Sequence, residues 1–231
     1  MKYDNTIPLD ILSSGSEGNA TVVNNYLLID CGTPLRTIKP HINALKLVLV
    51  THIHSDHFKR LTVKSLAKSR PTLRFAGGHF LADAFIKAGV EPKNIDVLEA
   101  DIEYDYGLCK IIPVELSHNV PCFGYKIHFK DGRKLFYATD TNNLNGIRAK
   151  NYDLYMIEAN YTEAGIQERI SEKKARGEYA YEYDVLKNHL SREKCDKFLA
   201  DNAGHNSSYV YMHMHKDTPQ GESDDNNGEN N

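Results

Sequence analysis

Short runs of apolar residues alternate along the chain with longer segments in which apolar positions recur at helical spacing. The short runs are typical of β-strands, and the longer segments are typical of helices that bury one face. The predicted strands span 26–30, 46–51, 108–114, 123–129, 135–139 and 154–158. The predicted helices span Arg60–Ser69, His79–Ala88, Glu163–Ala175 and Arg192–Asn202. This order predicts an α/β fold in which helices cover both faces of a mixed sheet.

Turn and cap residues sharpen two of these boundaries. Asp131-Gly132 lies between two predicted strands and favours a tight antiparallel hairpin. Ser191 precedes the last predicted helix and can cap its first turn, while Gly204 follows its end. We therefore expect strands 123–129 and 135–139 to pair with each other.

The final segment differs in composition from the rest of the chain. Residues 216–231 contain one lysine, five acidic residues and no large apolar side chain. Such a segment cannot form a packed core, so we expect one domain over 1–215 and an acidic disordered tail over 216–231. The formal net charge is -3; the tail has a net charge of -4, which leaves +1 for residues 1–215. The domain is therefore close to neutral, and a polyanionic substrate would need a local binding site.

The overall composition excludes several classes of protein. Hydrophobic residues make up 41% and charged residues 26% of the 231 positions, as in globular domains and unlike fibrous or wholly disordered chains. No apolar run approaches the ~20 residues that span a bilayer, and the first residues lack the apolar core of a signal peptide. We therefore expect a cytoplasmic protein without a membrane partner, and the oligomeric state stays open.

The densest chemical signal follows the predicted strand 46–51. Three histidines and one aspartate, His52, His54, Asp56 and His57, occur within six residues. They cannot all lie on one strand face, so the last two must sit in a turn that redirects them. This geometry can serve two adjacent metal centres, and imidazole with carboxylate ligands suits Zn²⁺, Mn²⁺ or Fe²⁺. The four cysteines lack the Cys-x-x-Cys spacing of a thiolate zinc site.

The His-x-His-x-Asp-His motif after an apolar strand resembles the signature of the metallo-β-lactamase fold superfamily. Other motifs match in the family's order, namely Leu27-Leu28-Ile29-Asp30-Cys31-Gly32 upstream and Leu116-Ser117-His118 and Ala138-Thr139-Asp140-Thr141 downstream. The resemblance covers nearly the whole chain up to His215. It implies a metallo-β-lactamase-like αββα sandwich, in which two mixed sheets are flanked by helices.

Finer motifs resemble one branch of that superfamily, the WalJ/YycJ-like proteins, which are regarded as DNA exonucleases. These motifs are Leu12-Ser13-Ser14-Gly15-Ser16-Glu17-Gly18-Asn19-Ala20-Thr21, Ile157-Glu158-Ala159-Asn160-Tyr161 and Asn188-His189-Leu190-Ser191. Asn119, Asn142 and Ala159 depart from the usual residues of the branch. These departures leave the substrate and the metal preference open.

The resemblance implies a set of metal ligands. One ion is held by His52, His54 and His118; the second is held by Asp56, His57 and His213, and Asp140 lies between the two. His215 would share a face with His213 in an extended strand, so it stays an alternative ligand. Asp30 orients the ligands and does not bind metal.

The resemblance also implies catalytic and substrate-binding residues. The expected catalytic residues are Asp56, Asp140 and His189. His189 can contact a phosphate or protonate a leaving oxygen, and the alternative is a structural role at the start of the next helix. Ser14, Ser16, Asn19 and Asn160 are expected to bind the substrate, because amides and hydroxyls can hold an anion without bulk positive charge.

Together these features predict a metal-dependent phosphodiester hydrolase, specifically a DNA exonuclease. It would use two divalent ions, Zn²⁺ or Mn²⁺, and a hydroxide that bridges them. Three alternatives stay open: a cyclic nucleotide phosphodiesterase, a thioesterase, and a non-catalytic binding module. DNA is the expected partner.

Overall fold

The computed structural model describes residues 6–215, and the predicted tail over 216–231 lies outside the described residues. The first half of the chain forms a six-stranded sheet in the order β1-β2-β3-β4-β5-β6. Its strands are β1 Leu9–Ser13, β2 Ala20–Val23, β3 Leu27–Ile29, β4 Leu47–Leu49, β5 Arg74–Gly78 and β6 Ile95–Leu98. The strands β1 to β3 pair antiparallel, and β3 to β6 pair parallel. The helices of this half are α1 Leu35–Ile38, α2 Arg60–Ser69 and α3 Ala82–Lys87.

The second half forms another six-stranded sheet, in the order β12-β11-β10-β9-β8-β7. Its strands are β7 Tyr104–Asp105, β8 Cys109–Leu116, β9 Cys122–Phe129, β10 Lys134–Ala138, β11 Leu154–Glu158 and β12 Ser208–Met212. The strands β7 to β10 pair antiparallel, and β10 to β12 pair parallel. The helices of this half are α4 Glu163–Ala175, α5 Glu182–Asn188 and α6 Arg192–Asn202.

Three packed layers of apolar side chains hold the sheets and helices together. Between the sheets, Ile29 and Leu49 of the first sheet pack with Tyr137 of the second. On the outer face of the first sheet, α2 and α3 cover Val48 and neighbouring residues. Helix α6 covers the outer face of the second sheet. The αββα sandwich with two mixed sheets is therefore confirmed.

The predicted helices agree closely with the observed ones. Helices α2, α4 and α6 have the predicted bounds, and the Ser191 hydroxyl accepts a bond from the Lys194 amide at the start of α6. The predicted helix at His79 begins with a 3₁₀ turn over His79–Leu81. Helix α5 was not predicted. Within residues 6–215, no helix combines the length and apolar character needed to span a bilayer.

The strand directions bring several strand ends to one edge of the sandwich. The parallel strands β3 and β4 end there, as do β10, β11 and β12. Strand β8 is antiparallel to β9, which is antiparallel to β10, so β8 ends at the same edge. The Phe123 amide donates to the Thr51 carbonyl across the two sheets at this edge. Residues just after these strands therefore meet in space.

Candidate metal centre

The candidate site is built from the residues that follow these strands. Asp30 follows β3, His118 follows β8, Asp140 follows β10 and His213 follows β12. Asp30, Asp140 and His213 have φ values of 61°, 59° and 51°, in the left-handed region. This conformation costs a non-glycine residue on the order of 1 kcal/mol. The turn it makes breaks the strand and directs each side chain toward the site.

Three histidines form the His118 cluster, which we define as His52, His54 and His118. The Nδ1 atom of His54 lies 3.1 Å from Nε2 of His52 and 3.3 Å from Nε2 of His118. The outer nitrogen of His118 donates to the carbonyl of Asn188, at 3.1 Å. That bond leaves the Nε2 lone pair of His118 pointing inward, as a metal ligand requires.

A carboxylate and two histidines form the His213 cluster, which we define as Asp56, His57 and His213. The Oδ2 atom of Asp56 lies 3.5 Å from Nε2 of His57 and 3.7 Å from Nε2 of His213. Asp140 reaches the same space, with Oδ2 2.9 Å from Nε2 of His57 and Oδ1 3.8 Å from Nε2 of His213. His52 and His57 also converge with Asp140, so Asp140 lies between the two clusters.

The unpaired atoms of the site fit a divalent cation. Asp140 Oδ2 and His213 Nε2 are buried and make no hydrogen bond, although charged groups surround both. Asp140 Oδ2 is close to His57, but the contact lacks hydrogen-bond alignment. Leaving such atoms without a partner is costly unless a cation binds them. Imidazole nitrogens with carboxylate oxygens are the donor set of divalent transition-metal sites.

Buried polar groups contact the Nδ1 atoms of His52 and His57, on the side of each ring away from its Nε2. Nδ1 of His57 donates to Asp30, at 2.7 Å, and Asp30 is fully buried. The Thr51 hydroxyl lies 3.0 Å from Asp30 Oδ1 and 3.0 Å from Nδ1 of His52. The Asp30 carboxylate thus contacts His57 directly and reaches His52 through the Thr51 hydroxyl.

Glu158, at the end of β11, is a site residue that the sequence analysis missed. Its Oε1 accepts from Nδ1 of His189 at 2.6 Å and from Nδ1 of His213 at 3.2 Å. Its Oε2 accepts from the Thr141 amide. The signal was available, because Glu158 closes an apolar strand just as Asp140 follows one. It could have been selected on that ground.

The electrostatics of the clusters differ. Burial lowers the pKa of His52 to about 2 and also lowers that of His118, so both rings are neutral. Burial opposes protonation of His57 and His213 too, but nearby carboxylates, led by Asp140, outweigh it. They raise the pKa of His57 well above its usual value and that of His213 to about 10. Burial also opposes ionisation of Asp140, yet His57 and His213 hold its pKa well below the usual range.

Three of the four expected substrate-binding residues line a cavity of about 460 Å³ beside the His213 cluster, which we call the serine-loop cavity. Ser14, Ser16 and Asn160 line it together with His189. Asn19 corrects the expectation, because its side chain is 0% exposed. Its amide nitrogen bonds the Gly15 and Asp56 carbonyls, and its oxygen accepts from the Gly15 amide. Asn19 therefore braces the loop from inside, and its Nδ2 lies 2.8 Å from Nε2 of His57.

The structure separates the two late histidines. Strand β12 ends at Met212, so the chain turns at His213 and the two histidines no longer share a face. His213 enters the cluster, and its amide and carbonyl bond Ser14 and Asn160. His215 lies at the rim of the serine-loop cavity, near the Tyr181 hydroxyl.

Comparisons with known proteins match the fold. The metallo-beta-lactamase fold protein YhfI from Bacillus subtilis is 17% identical, with a TM-score of 0.68 over 89% of this chain and 85% of that one. The short form of human tRNase Z is 15% identical, with a TM-score of 0.63 over 89% and 92%. A diphosphatase from the PhnP family is 16% identical, with a TM-score of 0.61 over 89% and 85%.

These identities are low, and they show a shared fold alone. A search of curated proteins finds no significant match. The family described as Beta-lactamase superfamily domain matches residues 25–214, a span that holds both clusters, Asp140 and Glu158. The chain therefore belongs to the β-lactamase superfamily domain family.

Proposed function

We propose that this protein is a metal-dependent phosphodiester hydrolase and acts as a DNA exonuclease. The observation that carries the proposal is the pair of ligand clusters that share Asp140 beside an open cavity. The resemblance of the sequence motifs to the WalJ/YycJ-like exonucleases supports the choice of DNA. A tRNase Z and a diphosphatase among the similar structures agree with phosphate chemistry.

Two divalent ions, Zn²⁺ or Mn²⁺, fit the residues present. His52, His54 and His118 would hold one ion, Asp56, His57 and His213 would hold the other, and Asp140 would serve both. Such ions supply an activated water nucleophile at neutral pH and stabilise charge on the phosphate. The protein contributes ligands whose tautomers are fixed by Asp30, Glu158 and the Asn188 carbonyl.

His189 has the geometry of a proton donor for the leaving oxygen. Its Nδ1 is bound to Glu158, and its ring borders the serine-loop cavity with Nε2 left for a substrate. Glu158 and Asp140 raise its pKa despite burial, which favours the protonated ring that a proton donor requires. A positioned acid of this kind typically contributes about 10²- to 10⁴-fold to the rate.

The loop 14–17 offers groups that can hold the phosphate. Ser14 and Ser16 are exposed and line the cavity opposite His189. Hydroxyls and amides of such a loop bind anions without a net positive surface. A nearly neutral domain can therefore take a polyanion at this one place.

The test is a time course on single- and double-stranded DNA labelled at either end, with Mn²⁺ or Zn²⁺ added. We expect stepwise shortening by the wild type and none by Asp140→Asn, which excludes a contaminating nuclease. His205→Gln is the matched control, because His205 is exposed and precedes the start of β12, whereas the ligand His213 follows the end of that strand. It should digest DNA like the wild type.

Two other results would redirect the proposal. Intact DNA with hydrolysis of a cyclic nucleotide or a thioester would indicate a small-molecule hydrolase. Intact DNA, no turnover of any ester and no bound metal would favour a binding module. Metal content measured on the same samples separates these two cases.

A further inference from the structure

A second cavity lies on the other side of the metal centre. It has a volume of about 630 Å³ and is bordered by His118. We call it the Phe80 pocket; its wall includes Phe80, Leu98, Glu99, Glu115, Val120 and Phe123. The serine-loop cavity is bordered by His213, so the two cavities flank the two clusters. A substrate whose phosphate lies at the metal centre can therefore extend into either one.

The ring of Phe80 is held in a defined position. It packs against the buried ring of Phe123, with centroids 5.2 Å apart and planes at 70°. A Cβ atom on Gly78 would lie only 2.2 Å from Cε1 of Phe80, so the ring lies directly against the backbone of Gly78. Glycine at position 78 thus permits this packing. The half-buried ring offers a fixed aromatic surface to the pocket.

The charges of the pocket oppose a phosphate and favour an uncharged ligand with amino groups. Glu99 and Glu115 are both exposed at its wall, and the residues that line it include no lysine or arginine. The lining of the serine-loop cavity also includes a carboxylate, Glu17, and no lysine or arginine, but it adds the hydroxyls of Ser14 and Ser16 and the ring of His189, which can bind a phosphate. We therefore expect the phosphates of a substrate to lie in the serine-loop cavity and its uncharged end to lie in the Phe80 pocket.

We infer that the Phe80 pocket binds the base of the terminal nucleotide that the enzyme releases, an inference that rests on the proposed function. Phe80 would stack on the base, and Glu99 and Glu115 would accept hydrogen bonds from its exocyclic amino group. Cytosine, adenine and guanine carry such a group and thymine does not. The pocket therefore discriminates against a terminal thymidine.

The test measures nucleoside binding directly, by NMR titration of the full chain with deoxycytidine and with thymidine. We expect deoxycytidine to bind about tenfold more tightly, as one good hydrogen bond to a charged group provides. The double variant Glu99→Ala/Glu115→Ala should bind both nucleosides equally. Phe80→Leu keeps an apolar side chain and should weaken both by about tenfold, whereas Phe80→Tyr should retain binding.

Equal affinity of the wild type for the two nucleosides, or no binding of either, would overturn the inference. So would discrimination that survives the double glutamate variant. Hydrolysis of bis(p-nitrophenyl) phosphate is measured on the same samples, because it reports the metal centre without a base. Turnover of that ester without nucleoside discrimination would contradict the inference about the pocket and leave the proposed hydrolase activity supported. Nucleoside discrimination without any turnover would support the pocket and contradict the hydrolase activity.

Discussion

The His118 cluster and the His213 cluster use similar ligands in different surroundings. The His118 cluster has three imidazoles and is half open, since His54 and His118 are only partly buried. Its rings at His52 and His118 have lowered pKa values because burial disfavours their charge. In the His213 cluster, carboxylates surround two buried rings and raise their pKa values. Burial thus favours the neutral form of His52 and His118, whereas the carboxylates favour the protonated form of His57 and His213.

This difference predicts that the two clusters would bind metal ions differently. A metal ligand must be deprotonated, so an ion that enters the His213 cluster has to displace protons from His57 and His213. The carboxylates that retain those protons also attract the cation, which favours binding once the protons leave. We therefore expect the His118 cluster to fill readily at neutral pH and the His213 cluster to respond strongly to pH.

Removing the group that the clusters share should have the largest effect. Asp140→Asn keeps the size of the side chain but removes the charge that both sites use. We expect hydrolysis to fall by at least about 10³-fold, with loss of metal, because the charge stabilisation of both sites is reduced. Metal analysis and circular dichroism of the variant, with the exposed Asp201→Asn as control, check this. Wild-type turnover in Asp140→Asn would refute the site assignment.

Removing one ligand from each cluster separates them. His54→Ala should lose the ion of the His118 cluster and retain the other, and His213→Ala should do the reverse. Each should reduce the rate by roughly 10²- to 10³-fold, the scale of losing one charge-stabilising group. Metal content by mass spectrometry at pH 8 measures the stoichiometry. Equal loss of both ions in both variants would show that the clusters cannot be filled independently.

The predictability of the two clusters from sequence also differs. Short motifs at strand ends predict the His118 cluster and Asp140, because parallel strands end at the same edge of a sheet. The choice between His213 and His215 depended on where β12 ends, and a positive φ at His213 is not visible in a residue pattern. The alternation of side chains along a strand could not decide which of the two histidines is the metal ligand.

Burial was the other quantity that the sequence could not supply. Asn19 belongs to a Gly/Ser segment that suggests an open loop. In the fold its side chain is buried, and its side-chain amide hydrogen-bonds the loop backbone at Gly15. Glu158 was overlooked because a glutamate at a strand end is usually solvated. Its place at a strand end was a usable signal, but its contacts with His189 and His213 depend on the position of β11 between β10 and β12.

The Glu158 carboxylate, which orients His213, can be altered without replacing any of the proposed metal ligands. Glu158→Gln removes the negative charge that holds Nδ1 of both His189 and His213, and leaves the ligand atoms in place. We expect a loss of about 10- to 100-fold in metal affinity or rate, as for other groups that orient ligands. The same change at the exposed Glu178 is the control. A rate that falls with unchanged metal affinity would assign the effect to His189 alone.

The difference in pH dependence between the clusters tests the contrast most directly. The carboxylates raise the pKa of His213 to about 10 and that of His57 well above its usual value, so they favour protonation of both rings in the metal-free protein. Protonated rings stabilise the metal-free fold at low pH, and this contribution is lost as the pH rises through those pKa values.

Metal competes with the same protons, so its affinity for the His213 cluster should rise by up to about tenfold per pH unit for each proton displaced. Calorimetric titration of His54→Ala, in which the His213 cluster remains, should show proton release on binding. His213→Ala should show a weaker pH dependence, because His52 and His118 are already neutral. Equal slopes of metal affinity against pH in the two variants would mean that the carboxylates around His213 do not retain its proton. The two clusters would then differ only in their solvent exposure.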